Sequence, residues 1–388
     1  MLREARFSKV VASSGYSWNC PELLALTYFF FLPGLNRLMR QHHVVSVRGI
    51  FQADNQLESL VSMGRISARN GVFAAIDLGS NSFHMVVAQE RDGELHVIDR
   101  HKESVRLAAG LDVNGRIDEL TQKRAMDCLE RFAQRLRGIP RDNIRIVGTN
   151  ALRKATNSIE FLEKAERCLE HSIEIISGVE EARLVYSGVS HCHGVGHQRR
   201  LVIDIGGGSS ECIIGEGRRT VLANSLYMGC VSYTRRFFDN EKLEREQFDS
   251  AKLAAKLELH PIERAYLKTG WSEVFGSSGT IKAIEAILRQ NEFSSNGIAL
   301  EGLNALADYL IDMGAMSRVR LQGLEKNRKE VLPGGLSILI AFFERLDIEG
   351  MRTSAGALRE GLLYETYGRT HQDDRRDNAI ERLMDAHR

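Results

Sequence analysis

Two short segments place an aspartate, glycines and small hydroxyl residues directly after an apolar strand pattern. The first reads Asp77-Leu-Gly-Ser-Asn-Ser82 and the second reads Asp204-Ile-Gly-Gly-Gly-Ser-Ser-Glu211. A turn of this composition brings backbone N–H groups and one carboxylate to the same edge of a sheet, where they can surround phosphate oxygens. A single loop of this kind is often an ordinary tight hairpin. Two of them in one chain predict a phosphate-binding site.

The groups expected to hold phosphate oxygens are the backbone and side-chain donors of both loops. They are Gly79, Ser80, Asn81 and Ser82 in the first loop and Gly206, Gly207, Gly208 and Ser209 in the second, with Asp77 beside the first loop. A third turn, Gly276-Ser-Ser-Gly-Thr280, precedes a helix pattern whose N-terminus attracts anions. We therefore add Gly279 and Thr280 to the candidate phosphate-binding residues.

The elements around these loops form a repeated pattern. Buried-strand patterns at Val72 to Leu78 and Phe83 to Gln89 flank the first loop, and similar patterns at Leu201 to Ile205 and Glu211 to Ile214 flank the second. Helical periodicity follows in each half, for example over 119–137 and 281–290. The sequence thus predicts an α/β fold with an internal duplication, one domain over 71–190 and another over 191–368, with a cleft between them.

The two ends of the chain lack this organisation. Residues 1–70 show no sustained period, and we expect an N-terminal extension that is poorly structured. The apolar run from Pro21 to Leu35 falls short of the roughly 20 residues that a membrane span needs, so no membrane contact is expected. Residues 369–388 are strongly charged and predict a frayed tail.

Composition narrows the class of protein and of partner. The chain has 52 Lys and Arg against 51 Asp and Glu, a net charge of +1, which argues against binding nucleic acid through bulk charge. A hydrophobic content of 43% supports packed cores rather than disorder. The six cysteines include no Cys-x-x-Cys pair and predict reduced thiols in a cytoplasmic protein.

Two phosphate loops and a third glycine turn on duplicated domains resemble the actin-like, or ribonuclease H-like, superfamily of kinases and chaperone ATPases. Within it, the chain resembles the exopolyphosphatase and guanosine pentaphosphate phosphatase family, in its short two-domain form, from about Val72 to Gly368. Six collinear segments carry the resemblance: 75–82, 148–157, 176–183, 202–211, 276–280 and 354–361.

The resemblance implies a site in which a glutamate activates water to attack a terminal phosphoryl group. The matching glutamate is Glu181, with its neighbour Glu180 as the alternative, and Arg153 matches an arginine that contacts substrate phosphate. Asp204 and Glu211 match carboxylates associated with a divalent cation, magnesium or manganese. Carboxylate oxygens suit such a hard cation, and phosphoryl transfer depends mainly on positioning and charge.

The same resemblance implies two alternative substrates, inorganic polyphosphate and guanosine pentaphosphate (guanosine 5′-triphosphate 3′-diphosphate). The sequence favours exopolyphosphatase activity, because a track of cations requires less specific architecture than a guanine pocket. Lys326 and Arg328 are among the candidate track residues, and Lys282 is a candidate for the guanosine pocket. An ATP-binding module and a kinase remain alternatives of other classes. The sequence is also compatible with a homodimer.

Overall fold

A computed structural model describes residues 71–370, apart from 195, 197, 241, 295 and 296. The predicted N-terminal extension and all but the first two residues of the predicted tail lie outside the described residues. Within the described residues, no helix is long and apolar enough to cross a membrane.

The first half of the structure is built on a mixed sheet of five strands in the order β3-β2-β1-β4-β5. β1, β2 and β3 form an antiparallel meander, whereas β4 and β5 run parallel to β1. The strands are β1 (Val72–Leu78), β2 (Phe83–Arg91), β3 (Glu94–Glu103), β4 (Ile144–Gly148) and β5 (Glu174–Ile175).

The second half repeats this arrangement with the strand order β10-β9-β6-β7-β8. β6 takes the place of β1, with an antiparallel meander on one side and parallel strands on the other. The strands are β6 (Arg199–Ile205), β7 (Ser210–Glu216), β8 (Arg219–Leu226), β9 (Glu273–Gly276) and β10 (Arg352–Thr353). The predicted internal duplication is therefore confirmed.

The helices cover the sheets and connect the parallel strands. They are α1 (Glu119–Leu136), α2 (Asn150–Lys154), α3 (Ser158–Leu169), α4 (Gly178–Cys192), α5 (Cys230–Phe237), α6 (Arg245–Thr269), α7 (Gly279–Gln290), α8 (Leu300–Met313), α9 (Lys326–Lys329), α10 (Leu332–Leu346) and α11 (358–370). The predicted helices over 119–137 and 281–290 are confirmed. The short helices α2, α5 and α9 and the strand β8 are not apparent from periodicity.

A shared core lies between the two sheets and is completed by α4 and α11. It combines Phe73 and Val86 of the first sheet with Val202 and Ile213 of the second. Glycines let the backbones approach closely here. A Cβ at Gly188 of α4 would collide with the carbonyl oxygen of Ala357, at the start of α11, and a Cβ at Gly361 would collide with that of Leu184.

One glycine of β7 has an equally strict steric role. A Cβ at Gly215 would overlap the ring of Tyr186, a fully buried side chain of α4 whose hydroxyl donates to the carbonyl oxygen of Gly217 at 3.0 Å. The absence of a side chain at Gly215 thus allows α4 to pack flat on the second sheet, which fixes the helix that carries Glu181.

We predict that Gly215→Ala lowers the free energy of unfolding by about 1–3 kcal/mol, because the buried Tyr186 ring has to move. Gly350→Ala is the matched control, since its Cβ would meet only the carbonyl oxygen of Ile298 at 3.9 Å. Urea unfolding followed by circular dichroism measures both variants. Equal stability of the two variants would contradict the steric role of Gly215.

Candidate active site

The two Asp-Gly loops face each other across a cleft between the halves. Each loop follows the carboxyl end of the central strand of its sheet, β1 or β6. At one end of the cleft the second loop packs on the first half: a Cβ at Gly207 would lie 2.9 Å from the Cβ of Ser80, and one at Gly208 would lie 2.5 Å from Oδ1 of Asn150, the first residue of α2. The duplication thus brings both loops to the edge of one cavity of about 350 Å³.

Most of the residues predicted for the site line this cavity. They are Asp77, Gly79, Ser80, Asn81, Ser82, Glu181, Asp204, Gly206, Gly207, Ser209, Gly279 and Thr280. Three predicted residues do not line it, namely Arg153, Gly208 and Glu211. Gly208 lines a second cavity. Arg153 and Glu211 each contact a residue that lines the first cavity, Glu181 and Ser209 respectively.

Glu181 reaches the cavity because of how α4 begins. The hydroxyl of Ser177 accepts a hydrogen bond from the backbone N–H of Glu180 at 3.2 Å and caps the helix. Glu181 then lies in the first turn with its carboxylate on the cavity side. The carboxylate of Glu180 is instead paired with Arg183 at 2.7 Å and does not line the cavity. The placement favours Glu181 over Glu180 as the catalytic group.

Arg153 lies against Glu181 rather than in the cavity. Its Nη1 donates to Oε2 of Glu181 at 3.0 Å and to the carbonyl oxygen of Ile176 at 2.7 Å. Both side chains are largely buried, which strengthens the ion pair. The resemblance implied a phosphate contact for Arg153, and in the structure its guanidinium orients the carboxylate of Glu181.

Four carboxylates share this region, and their environment disfavours negative charge. Burial raises the pKa of Glu181 to about 8, with Arg153 acting in the opposite direction. Burial raises the pKa of Asp77 to about 7 and also raises the pKa of Asp204. The pKa of Glu211 is raised by burial and by the neighbouring Glu181. Such a cluster favours the binding of a cation.

Two of these carboxylates have oxygen atoms suited to a divalent cation. Oδ1 of Asp77 is buried and has no hydrogen-bond partner among the described residues. Oδ2 of Asp204 accepts from the hydroxyl of Ser277 at 2.5 Å. Glu211, the other predicted cation ligand, does not line the cavity, and its Oε1 accepts from the hydroxyl of Ser225 at 2.8 Å. Among the described residues, no group of three or more His, Cys, Asp or Glu side chains is arranged to hold a metal ion.

Part of the cavity lining is basic, a feature that the sequence reasoning largely missed. Lys102, His84 and Arg359 line the cavity together with Lys282 and Arg328. His84 pairs in register with Asp77 on one side and with Lys102 on the other. The sequence signal for this feature was His84, a polar residue just after the first loop. Its neighbours on the adjacent strands could not be identified before the strand register was known.

These features define a class, namely two-domain actin-like proteins with a candidate phosphate site in the cleft between the halves. Solved structures support the fold. The exopolyphosphatase from Cytophaga hutchinsonii superposes with a TM-score of 0.68 at 22% identity, covering 76% of this chain and 98% of that one. An Aquifex aeolicus Ppx-GppA enzyme gives a TM-score of 0.62 at 25% identity, covering 75% and 98% of the two chains.

The sequence comparisons identify the family. Residues 86–370 match the model of the Ppx/GppA phosphatase family, and the chain belongs to this family, as its motifs predicted. It is 47% identical over 313 residues to the guanosine-5′-triphosphate,3′-diphosphate pyrophosphatase of Aeromonas salmonicida, covering 81% of this chain and 63% of the relative. The protein of the same name from Vibrio cholerae is 46% identical over 309 residues, covering 80% and 62%. The chain thus spans less than two thirds of the length of these curated relatives.

We predict that Glu181→Gln lowers turnover of the protein's phosphate substrate by about 10²–10⁴-fold while the fold is kept, because the amide cannot accept a proton. Glu180→Gln is the matched control and should retain activity, since Glu180 pairs with Arg183 outside the cavity. Steady-state phosphate release measures both. Full activity of a folded Glu181→Gln variant, or loss in Glu180→Gln instead, would contradict the assignment.

Proposed function

We propose that the protein hydrolyses the terminal phosphoanhydride bond of guanosine pentaphosphate and releases orthophosphate. The observation that carries this proposal is Glu181, held by Arg153 at the edge of a cleft lined by both glycine loops. The names of the curated relatives favour guanosine pentaphosphate over polyphosphate as the substrate. The preference for polyphosphate drawn from the sequence is therefore not maintained.

In this reaction a water oxygen forms a bond to the terminal phosphorus, and the bond from that phosphorus to the bridging oxygen breaks. Glu181 orients the water and accepts its proton. Burial raises the pKa of Glu181 to about 8, which makes its ionised carboxylate a stronger proton acceptor than an exposed one, and Glu181 acts as the base in its ionised form. The products are orthophosphate and a guanosine carrying a diphosphate at each of its 5′ and 3′ positions.

The loops supply donors for the phosphate oxygens. The hydroxyl of Ser82 is buried, lines the cleft and has no partner among the described residues, so it is free to donate to a phosphate oxygen. The hydroxyl of Ser80 accepts from the backbone N–H of Ala151 at 3.2 Å, which leaves its proton available. Developing negative charge is stabilised best by donors that are already in place before the reaction.

Asp77 and Asp204 are the residues that would hold Mg²⁺ or Mn²⁺, together with water molecules. A bound divalent cation supplies positive charge that offsets the negative charge of the phosphoryl group. Asp77 is suited to this role because one of its oxygens lacks any hydrogen-bond partner in the described part of the chain.

We predict that EDTA abolishes phosphate release and that added magnesium restores it. Asp204→Asn should raise the magnesium concentration for half-maximal activity by about 10-fold or more, because an amide oxygen is a weaker ligand for a hard cation. Asp308→Asn is the control, because Asp308 of α8 lies in an exposed ion pair with Arg245 of α6, and this variant should respond to magnesium like the wild type. Full activity in EDTA would refute the metal role.

The substrate is tested by a panel of guanosine pentaphosphate, polyphosphate and ATP, each with magnesium and with or without a phosphoryl acceptor. We expect the highest kcat/KM for guanosine pentaphosphate, and no stimulation by the acceptor. A higher kcat/KM for polyphosphate would restore the exopolyphosphatase alternative, and transfer to an acceptor would favour a kinase. Location in the cytoplasm and assembly as a homodimer stay predictions.

A further inference from the structure

The second sheet carries a line of three polar residues that begins at the cavity. Asp204 of β6, Glu211 of β7 and Ser225 of β8 are register partners on adjacent antiparallel strands. Residues that pair directly across antiparallel strands face the same side of a sheet, so the three side chains lie in a row. Asp204 lines the cavity, whereas Glu211 and Ser225 do not. The row thus leads from the reaction centre to a place outside the cavity.

Helix α4 covers that place. Two residues beyond Glu211 on β7, Ile213 belongs to the core that also contains residues of α4. Two residues further on, Gly215 contacts the ring of Tyr186 of α4. Because alternate residues of a strand face one side, Glu211 lies on the α4 side of the sheet. The apolar surface on which α4 packs therefore ends, next to the cavity, in the polar pair of Glu211 and Ser225.

Ser225 holds the carboxylate of Glu211. Its hydroxyl donates to Oε1 of Glu211 at 2.8 Å, and the side chain of Ser209 hydrogen-bonds to the same carboxylate. Glu211 is only 1% exposed, and burial and the charge of Glu181 raise its pKa, so the two glutamates lie close together. A buried carboxylate depends on such donors, because its desolvation is otherwise uncompensated. The hydroxyl of Ser225 therefore fixes where this carboxylate lies.

The same hydroxyl contacts the beginning of α4. A Cβ at Gly178, the first residue of the helix, would lie 2.4 Å from Oγ of Ser225 and 3.8 Å from Nη2 of Arg153. Glycine at this position lets the helix start directly on Ser225. Glu181 follows Gly178 by three residues, a spacing that makes the two neighbours on the helix surface. The pair of Ser225 and Glu211 thus adjoins the helical turn that carries the proposed base.

We propose that Ser225 is a positioning residue for the reaction, an inference that rests on the function proposed above. Ser225 and Glu211 act as one unit, the surface on which the first turn of α4 packs, and this surface places the carboxylate of Glu181 against the attacking water. Ser225 itself does not touch the substrate. Without its hydroxyl, Glu211 has to turn towards another donor, and the first turn of α4 loses the contact that sets its distance from the sheet.

Two other roles for Ser225 lead to different results. A residue that only stabilises the fold lowers the melting temperature without changing the turnover of the folded protein. A residue that serves the substrate or a cation changes KM or the magnesium concentration for half-maximal activity. Phosphoryl transfer depends mainly on placement, so a displaced base lowers kcat.

The experiment measures phosphate release by Ser225→Ala, Glu211→Gln and the double variant, and by Gly178→Ala, which tests the same contact from the helix side. Thr220→Val is the matched control, because Thr220 is a half-buried residue of the same strand and does not line the cavity. The substrate is guanosine pentaphosphate or, if it is not hydrolysed, the compound of the substrate panel that the wild type turns over fastest. Thermal melting shows which variants are folded at the assay temperature.

We expect Ser225→Ala and Gly178→Ala to lower kcat by about 10-fold, as misplacement of a reacting group does, with KM and the magnesium requirement within about 2-fold of the wild type. Thr220→Val should retain the wild-type kcat. The double variant should be no more than about 2-fold slower than Glu211→Gln alone, because the effects of residues that act as one unit do not add.

An unchanged kcat in a folded Ser225→Ala or Gly178→Ala variant would overturn the proposal. So would a rise in the magnesium requirement of Ser225→Ala, which would show that Glu211 serves a cation, or a further loss of the same size in the double variant. If guanosine pentaphosphate is not hydrolysed but the expected pattern appears with another compound of the panel, the proposed function fails and the positioning role of Ser225 stands. Absence of phosphate release from every compound would overturn both.

Discussion

The arrangement of the cleft depends on the burial of several carboxylates beside one another. Burial raises the pKa of Glu181 and Asp77, and the charge of Asp204 raises both further. Arg153 is in direct contact with Glu181 and acts in the opposite direction. Such a cluster is unfavourable in the free protein, and under the proposed function a divalent cation would offset its charge. We therefore expect ligand binding in this cleft to depend on charge neutralisation more than on apolar contact.

Backbone packing keeps these charges in place. The duplicated topology sends both glycine loops to the same edge, where only residues without a Cβ can approach as closely as Gly207 and Gly208 do. The crossing of α4 and α11 depends on the same property at Gly188 and Gly361. Side-chain chemistry at the cleft is thus supported by glycines that themselves carry no functional group.

Much of this could be read from the sequence. The strand patterns before Asp77 and Asp204 are alike, so the duplication and both loops followed from local residues. The family followed from motif order. The partner of Arg153 could not be predicted, because it depends on how β4, β5 and α4 meet in space. The sequence named Arg328 and Lys282 as candidate substrate contacts but not Lys102, because Lys102 and Arg328 are 226 residues apart in the chain and only the strand register and the packing of the halves bring them to one cavity.

Helix α11 connects the two halves, because it lies between the two sheets and contacts both of them. Helix α11 follows the last strand of the second sheet, yet its Glu365 pairs with Arg145 of β4 at 2.7 Å and its Tyr367 packs edge-on against Phe73 of β1. Severing the chain between α4 and β6 would leave the first sheet without α11 and expose the apolar face around Phe73. The halves are repeats in topology, but α11 packs against both sheets, so we expect the halves to unfold as one cooperative unit. A change in α11 would then alter the packing beneath both glycine loops.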